Sequence, residues 1–133
     1  MASWRDVSRH ALALPATSEE LSSQGLRQWA VRTKTFAWER PLRRSDLAAL
    51  GDDAPRGAIL GLRTADLEMK EMLLASDPGV YFTTPHFNGY PAVLVRLTAI
   101  GSKALKEALL EAWLARAPRR LAQPFLESRG SQT

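Results

Sequence analysis

The stretch VYFTTPHFNGYPAVLVRL, residues 80–97, contains two apolar strand patterns separated by a loop. VYFTT at 80–84 and PAVLVRL at 91–97 are rich in β-branched and aromatic residues, which are typical of strands. The intervening PHFNGY, residues 85–90, combines a proline with an Asn-Gly pair, and these residues favour a turn. The stretch therefore predicts two consecutive strands joined by a structured loop.

Helical patterns flank this strand pair on both sides. A helix is predicted from Thr64 or Asp66 to about Ser76, with an inward face formed by Leu67, Met69, Met72 and Leu73. A second helix is predicted from its cap at Ser102 to about Ala117, with an inward face formed by Leu105, Leu109, Ala112 and Trp113. Two strands between two helices indicate a sheet that is backed by helices.

Three more strand patterns lie upstream: RQWAVR at 27–32, KTFAWER at 34–40 and GAILGLRT at 57–64. Thr33 marks a tight turn between the first two. Period-two alternation places Trp29 and Val31 on one face, and Phe36 and Trp38 on one face of the next strand.

The rest of the upstream chain has no strand pattern. Residues 3–14 predict a helix that Ser3 and Asp6 cap, with an apolar face formed by Trp4, Val7, Ala11 and Leu14. The segment 17–25 is polar and turn-rich. In the 41–56 connection, Ser45 can cap a short helical turn that Gly51 closes.

The resulting order, α-β-β-β-α-β-β-α, predicts an α+β fold of two layers, in which helices back a mainly antiparallel five-stranded sheet. The chain has 133 residues and no segment that resembles an interdomain linker. We therefore expect one domain over residues 1–126. Pro118 is expected to end the last helix, and the polar residues 127–133 are expected to form a flexible C-terminal tail.

Four segments together resemble the MmcQ/YjbR-like family: WRDVSRHALALP (4–15), VRTKTFAWER (31–40), DPGVYFTTPHFNGYPAVLVRL (77–97) and EAWLARAPRRL (111–121). The resemblance covers about residues 3–126, and its most specific part is TTPHFNGYPAVLVRL. It implies an α-β(3)-α-β(2)-α fold and a DNA-binding role in which two β-hairpin wings project from the sheet. The matching wings here are the 41–56 connection, which is longer than the family usually shows, and the 85–90 loop.

The positive charge of the chain is concentrated in one segment. The net charge is +4, and residues 27–44 contain six basic residues and the single acid Glu39. Such a field attracts polyanions. The candidate nucleic-acid-binding residues are therefore those six and two from the 85–90 loop: Arg27, Arg32, Lys34, Arg40, Arg43, Arg44, His86 and Asn88.

Simpler interpretations of the same residues stay open. The basic segment can be a solvated strand face and loop. Turn chemistry explains every residue of the 85–90 loop, and Trp29 and Trp38 can be core aromatics. Trp38, if exposed, can instead stack on an unpaired base.

Catalytic motifs are absent. The chain has no cysteine, its two histidines, His10 and His86, lie far apart, and no Walker loop, GxSxG, GxGxxG or HExxH pattern occurs. We expect no catalytic, cofactor-binding or metal-binding residues, no small-molecule substrate and no enzymatic activity.

The leading functional prediction is DNA binding through phosphate contacts, without a cofactor. The alternative is a protein-interaction module, chaperone-like or homodimerising, for which Trp4 and Trp113 would serve as anchors if exposed. No apolar run is long enough to span a membrane, and the N-terminus lacks the pattern of a signal peptide. A cytoplasmic location is therefore expected.

Overall fold

Six antiparallel strands pair in the order β1-β2-β3-β4-β6-β5. A computed structural model of the chain describes residues 2–131, without the side chains of the last two of these. The strands are β1 (Thr17–Leu21), β2 (Arg27–Val31), β3 (Lys34–Glu39), β4 (Ile59–Arg63), β5 (Tyr81–Phe82) and β6 (Ala92–Arg96). The helices are α1 (Trp4–Leu12), α2 (Arg44–Leu50), α3 (Leu67–Ser76), α4 (Ser102–Arg116) and α5 (Arg119–Ser131). The predicted α+β class with an antiparallel sheet is confirmed.

One strand, β1, was not predicted from the sequence. It pairs with β2 along its whole length, so the part of the sheet that the structure describes has six strands rather than five. β1 lies at the edge of the sheet, and four of its five residues are exposed. An exposed edge strand needs no alternating apolar residues, so the polar segment 17–25 has the sequence pattern of a turn although its first five residues form a strand. Four strands consequently precede α3, with α2 inserted between β3 and β4.

Helix α5 also differs from the prediction. Pro118 ends α4 as expected, but α5 begins directly after it, because proline is tolerated at the start of a helix, where its missing N–H is not needed. Leu121, Ala122 and Phe125 pack partly buried against the core. Residues 127–131 of the segment assigned to a polar tail belong to this helix, while residues 132 and 133 lie outside the described residues.

One face of the sheet packs against α1 and α4 and holds the main core, and α5 packs on α4 through Phe125 and Trp113. The Ser3–Asp6 capping box is present at the start of α1, and Val7 and Ala11 are buried as predicted. The four predicted inward residues of α4 are all buried. The indole of Trp29 stacks on that of Trp4 at 6.1 Å, and the indole N–H of Trp113 donates to the Pro15 carbonyl at 3.1 Å.

Helix α3 presents a different face from the predicted one. Its cap is Asp66, whose carboxylate accepts from the Met69 N–H at 2.8 Å. Leu67 and Met72, which were expected to face inward, are exposed, and Lys70 is buried instead. Lys70 faces the 85–90 loop, where its ammonium donates hydrogen bonds to two backbone carbonyls.

A bulge in β3 separates two aromatic residues that were predicted to share a face. Trp29 pairs with Ala37 and Ala30 pairs with Thr35, so Phe36 is an extra residue in β3. At a bulge, two residues of one strand oppose one of the other, which interrupts the alternation. Phe36 and Ala37 therefore both join the helix-facing core, whereas Trp38 packs on the opposite face.

The opposite face has a smaller core of Ile59, Phe82, Phe87, Ala92 and Leu94. The 41–56 connection covers part of it with Leu42 and Leu50, and the 85–90 loop covers another part with Phe87. Within 41–56 the chain forms α2, closed by Gly51 at φ 60°, and a 3₁₀ turn; the 85–90 loop begins with a 3₁₀ turn. Neither segment forms the β-hairpin wing that the family resemblance implies.

A buried ion pair fixes α2 to the end of β3. The guanidinium of Arg40 lies 3.1 Å from the carboxylate of Asp46, and both side chains are almost completely buried. The same carboxylate accepts from the Arg43 N–H at 2.8 Å. Burial alone would raise the pKa of Asp46, but the Arg43 N–H and the Arg40 charge outweigh burial, and the pKa is lowered from 3.8.

Gly61 permits the Trp38 ring to cross β4. Gly61 pairs with Trp38, and a Cβ at position 61 would lie 2.3 Å from Cε2 of the indole. We expect Gly61→Ala to lower the free energy of unfolding by about 1–3 kcal/mol, the range for an overpacked site, although alanine is ordinarily better than glycine in a strand. Urea denaturation measures this change. The same substitution should cost less in a Trp38→Leu background, and an equal cost in both backgrounds would contradict the assignment.

Asp46→Asn should lower the free energy of unfolding at neutral pH by about 3 kcal/mol, because it leaves the buried Arg40 charge without its partner. The pKa of Asp46 is lowered in the folded protein, so its contribution is present above pH 3.8 and is lost as the pH falls through the folded-state pKa. The stability difference between wild type and variant, followed by denaturation, should therefore shrink in acid. A difference that is independent of pH would show that the ionised pair does not stabilise α2.

Candidate functional site

A groove of about 450 Å³ opens on the sheet face opposite α1 and α4. Gln28, Thr35 and Trp38 from β2 and β3 line its sheet side, and Arg43 of the 41–56 connection and His86 of the 85–90 loop line its sides. Its size falls within the range of small-ligand sites, about 300–1,000 Å³.

The structure brings four of the eight predicted residues together in this groove: Arg27, Arg40, Arg43 and His86. Arg44 follows Arg43 in the first turn of α2 and is exposed, and Asn88 is exposed two residues after His86. Arg32 and Lys34 lie elsewhere, at the β2–β3 turn. The basic segment therefore forms two groups, one at each end of the hairpin of β2 and β3.

Two of the arginines in the groove already have acidic partners. Arg27 pairs with Glu39 at 3.2 Å and lies over the Trp4 ring at 5.7 Å. Arg40 is buried in its pair with Asp46 and lies over the Phe87 ring at 5.3 Å. Arg40 therefore stabilises the fold and is not accessible to a ligand. Arg43 and Arg44 are exposed and form no ion pair with any described residue.

The second basic group lies at the β2–β3 turn. Arg32 adopts a positive φ of 55° there, and it borders a surface depression together with Arg119 and Arg120 at the start of α5. These three arginines form no ion pair within residues 2–131. The five residues of β2 separate this group from the groove by about 16 Å, at the rise per residue of a strand.

The floor of the groove carries hydrogen-bonding groups that have no protein partner. The indole N–H of Trp29 donates to Glu19, and that of Trp113 donates to the Pro15 carbonyl. In contrast, the indole N–H of Trp38 and the side chains of Gln28 and Thr35 form no hydrogen bond within the described chain. All three side chains are partly exposed, so these groups are accessible to a ligand.

Lys70 holds the 85–90 loop in place. Its ammonium donates to the carbonyls of Phe87 at 2.5 Å and Tyr90 at 2.8 Å, and burial lowers its pKa. Gly89 supplies a positive φ of 75° between these two residues. This lysine was not predictable from the sequence, because one basic residue on a helix gives no indication of what it contacts. Phe87 and Tyr90 follow Lys70 by 17 and 20 positions in the chain, so their contact with the lysine is visible only in the fold.

The 85–90 loop is only partly explained by turn chemistry. Phe87 is buried and closes the smaller core, which is a role in the fold and not in ligand binding. His86 is exposed and its ring meets Phe87 edge-on at 5.0 Å. The hydroxyl of Tyr90 accepts from Arg63 at 3.0 Å. His86 and Asn88 are therefore exposed on a loop that hydrogen bonds from Lys70 and Arg63 connect to neighbouring elements.

The two histidines lie on opposite faces of the sheet. His10 belongs to α1 in the helix layer, where burial and then the charges of Arg9 and Lys106 lower its pKa, whereas His86 borders the groove. Residues 2–131 contain no cluster of three or more acidic or histidine side chains that could hold a metal ion. Nor is any helix among them long and apolar enough to cross a bilayer.

The two tryptophans considered as protein-binding anchors are engaged in the fold. Trp113 is completely buried, and it packs on Phe125 of α5 with ring centres 5.2 Å apart. Trp4 is half-buried against Trp29. Trp113 therefore offers no surface to a partner.

Comparison with known proteins gives relatives at two levels. A family model described as YjbR matches residues 12–116. The uncharacterized proteins Rv2570 of Mycobacterium tuberculosis and Mb2600 of Mycobacterium bovis are each 51 % identical to this chain, over 98 % of this chain and 100 % of their own length.

Among solved structures, the fold is similar to that of Deinococcus radiodurans protein DR2400, described as a DUF419 domain. The TM-score is 0.63 at 20 % identity, over 86 % of this chain and 78 % of that one. This likeness concerns the fold alone. Since the family model spans most of the chain, from Leu12 at the end of α1 to the end of α4, the resemblance seen in the sequence is confirmed and the protein belongs to the YjbR family.

Proposed function

We propose that this protein binds nucleic acid, DNA in the first instance, by contacts from exposed arginines to the phosphate backbone. The observation that carries the proposal is the state of Arg43 and Arg44. Both are exposed beside the groove and have no acidic partner within the described residues, whereas Arg27 and Arg40 are neutralised by Glu39 and Asp46. Free guanidinium groups of this kind supply most of the affinity of proteins for duplex DNA.

The second basic group supports an extended ligand. Arg32, Arg119 and Arg120 lie at the other end of the hairpin, about 16 Å from the groove. The groove lies on the face opposite α1 and α4, whereas Arg119 and Arg120 belong to α5, so a nucleic acid that reaches both groups has to pass around the end of the β2–β3 hairpin. A small anion can occupy only one of them. Two separated groups of unpaired arginines therefore favour a polyanion.

The proposed role is binding without a chemical step, in the cytoplasm. Phosphate capture needs charge and access, and the groove provides both. A general base would need a partner or orienting group close by, and the two histidines are separated by the sheet. No cofactor is required for this role.

We expect Arg43→Ala with Arg44→Ala to weaken DNA binding equally for all sequences. The double variant should also lower the slope of log affinity against log salt concentration by about 2, because each phosphate contact contributes about one unit. Fluorescence anisotropy of labelled duplex DNA over a series of salt concentrations measures both quantities. The thermal midpoint of the variant should stay close to that of the wild type, since neither guanidinium forms an ion pair with a described residue.

The matched control is Lys103→Ala with Lys106→Ala. This variant removes the same charge from exposed positions on α4, on the opposite side of the sheet. It should retain the wild-type salt slope. If both double variants lose affinity equally, net charge and not the groove determines binding. If the wild type does not bind at physiological salt, the proposal is wrong and the protein-interaction alternative takes its place.

A further inference from the structure

We infer that the groove binds one nucleotide whose base is unpaired, with the base against Trp38 and its phosphate on Arg43. This inference rests on the proposed function and adds the kind of nucleic acid: a single strand, or an unpaired position, in preference to a paired duplex. It is carried by the hydrogen-bonding groups of the groove that have no protein partner.

The Trp38 ring provides the aromatic surface of the inferred site. The ring crosses β4 at Gly61. Because Gly61 has no side chain, the ring lies directly against the β4 backbone. Trp38 is half-buried, packs at the edge of the smaller core and borders the groove. A supported aromatic ring at the side of an open groove is the usual platform for an unpaired base.

Polar side chains surround that ring. Gln28 pairs with Trp38 across the sheet, and its amide can both donate and accept. Thr35 adds a hydroxyl, and the Trp38 indole adds an N–H donor. None of the three has a hydrogen-bond partner among the described residues. Such a set matches the polar edge of a base, which is inaccessible when the base is paired.

The groove also contains a positive charge that could hold one phosphate. Of the arginines in the groove, Arg43 alone is free of an acidic partner in the described chain, and His86 borders the same space. One free cation beside one aromatic platform corresponds to one phosphate beside one base. The volume of about 450 Å³ accommodates a unit of that size.

The test compares three ligands of equal length at one salt concentration: a labelled adenine single strand, the same strand with an abasic site at every position, and a duplex. Bases that stack on an aromatic ring strengthen binding, so the wild type should bind the adenine strand about tenfold more tightly than the abasic strand. Trp38→Leu should remove this difference and leave affinity for the abasic strand and for the duplex unchanged. Trp38→Phe, which keeps a ring, should recover part of it.

The variants separate this inference from the proposed function. Equal wild-type affinity for the adenine and abasic strands would overturn the base site while phosphate binding stands. Loss of affinity for all three ligands in Arg43→Ala, with no effect of Trp38→Leu, would do the same. If Trp38→Leu does not fold, Gln28→Leu and Thr35→Val test the polar edge in its place, and each should reduce the preference for the adenine strand. Trp4→Leu is the matched control, because this indole does not line the groove.

A free nucleotide and a strand share the same chemistry, and competition distinguishes them. Deoxyadenosine monophosphate that displaces the labelled strand only at much higher concentration identifies the strand as the ligand. Equal potency of the two identifies a free nucleotide in the same site. Absence of any displacement at saturating nucleotide would contradict the inferred base site.

Discussion

The bulge at Phe36 determines how this sheet is used. A regular β3 would place Phe36 and Trp38 on the same side, and either the helix-facing core would lose a large aromatic residue or the opposite face would lose its platform. The extra residue sends Phe36 and Ala37 to the helices and Trp38 to the other face. Gly61 on the neighbouring strand then provides the space that Trp38 occupies. One local irregularity thus defines both the core and the groove.

The arginines also divide into two sets: those that stabilise the fold through ion pairs and those that remain exposed. The ion pairs of Arg27 and Arg40 use the only two acids, Glu39 and Asp46, that pair with arginines of the groove in the described chain. These pairs position β3 and α2 and cancel much of the local charge. What remains is a small number of exposed guanidinium groups next to a groove whose Gln28, Thr35 and Trp38 side chains have no hydrogen-bond partner in the described chain. A basic stretch of sequence is therefore a poor guide to how many of its charges can reach a ligand.

The sequence predicted the elements that depend on residues close to one another along the chain. The Ser3–Asp6 box, the Asp66 cap and the apolar face of α4 are local patterns, and all three are present. Features that depend on the tertiary structure were missed. β1 is held only by β2, the bulge appears only in the pairing register, and Lys70 is explained by a loop far along the chain. For the site, the sequence named every basic residue of the groove, but half of the eight residues it named lie outside the groove, and it did not show which charges the fold neutralises.

The two edges of the sheet are protected in different ways against further strand addition. β5 has only two residues and offers little backbone to a neighbouring chain. β1 is longer, but it carries Glu19 and Glu20 on its exposed length. Antiparallel pairing of two β1 strands in the register centred on Glu19 would place like charges opposite each other, which is destabilising. The acidic edge thus disfavours open-ended growth of the sheet from one molecule to the next, the route by which exposed strands lead to aggregation.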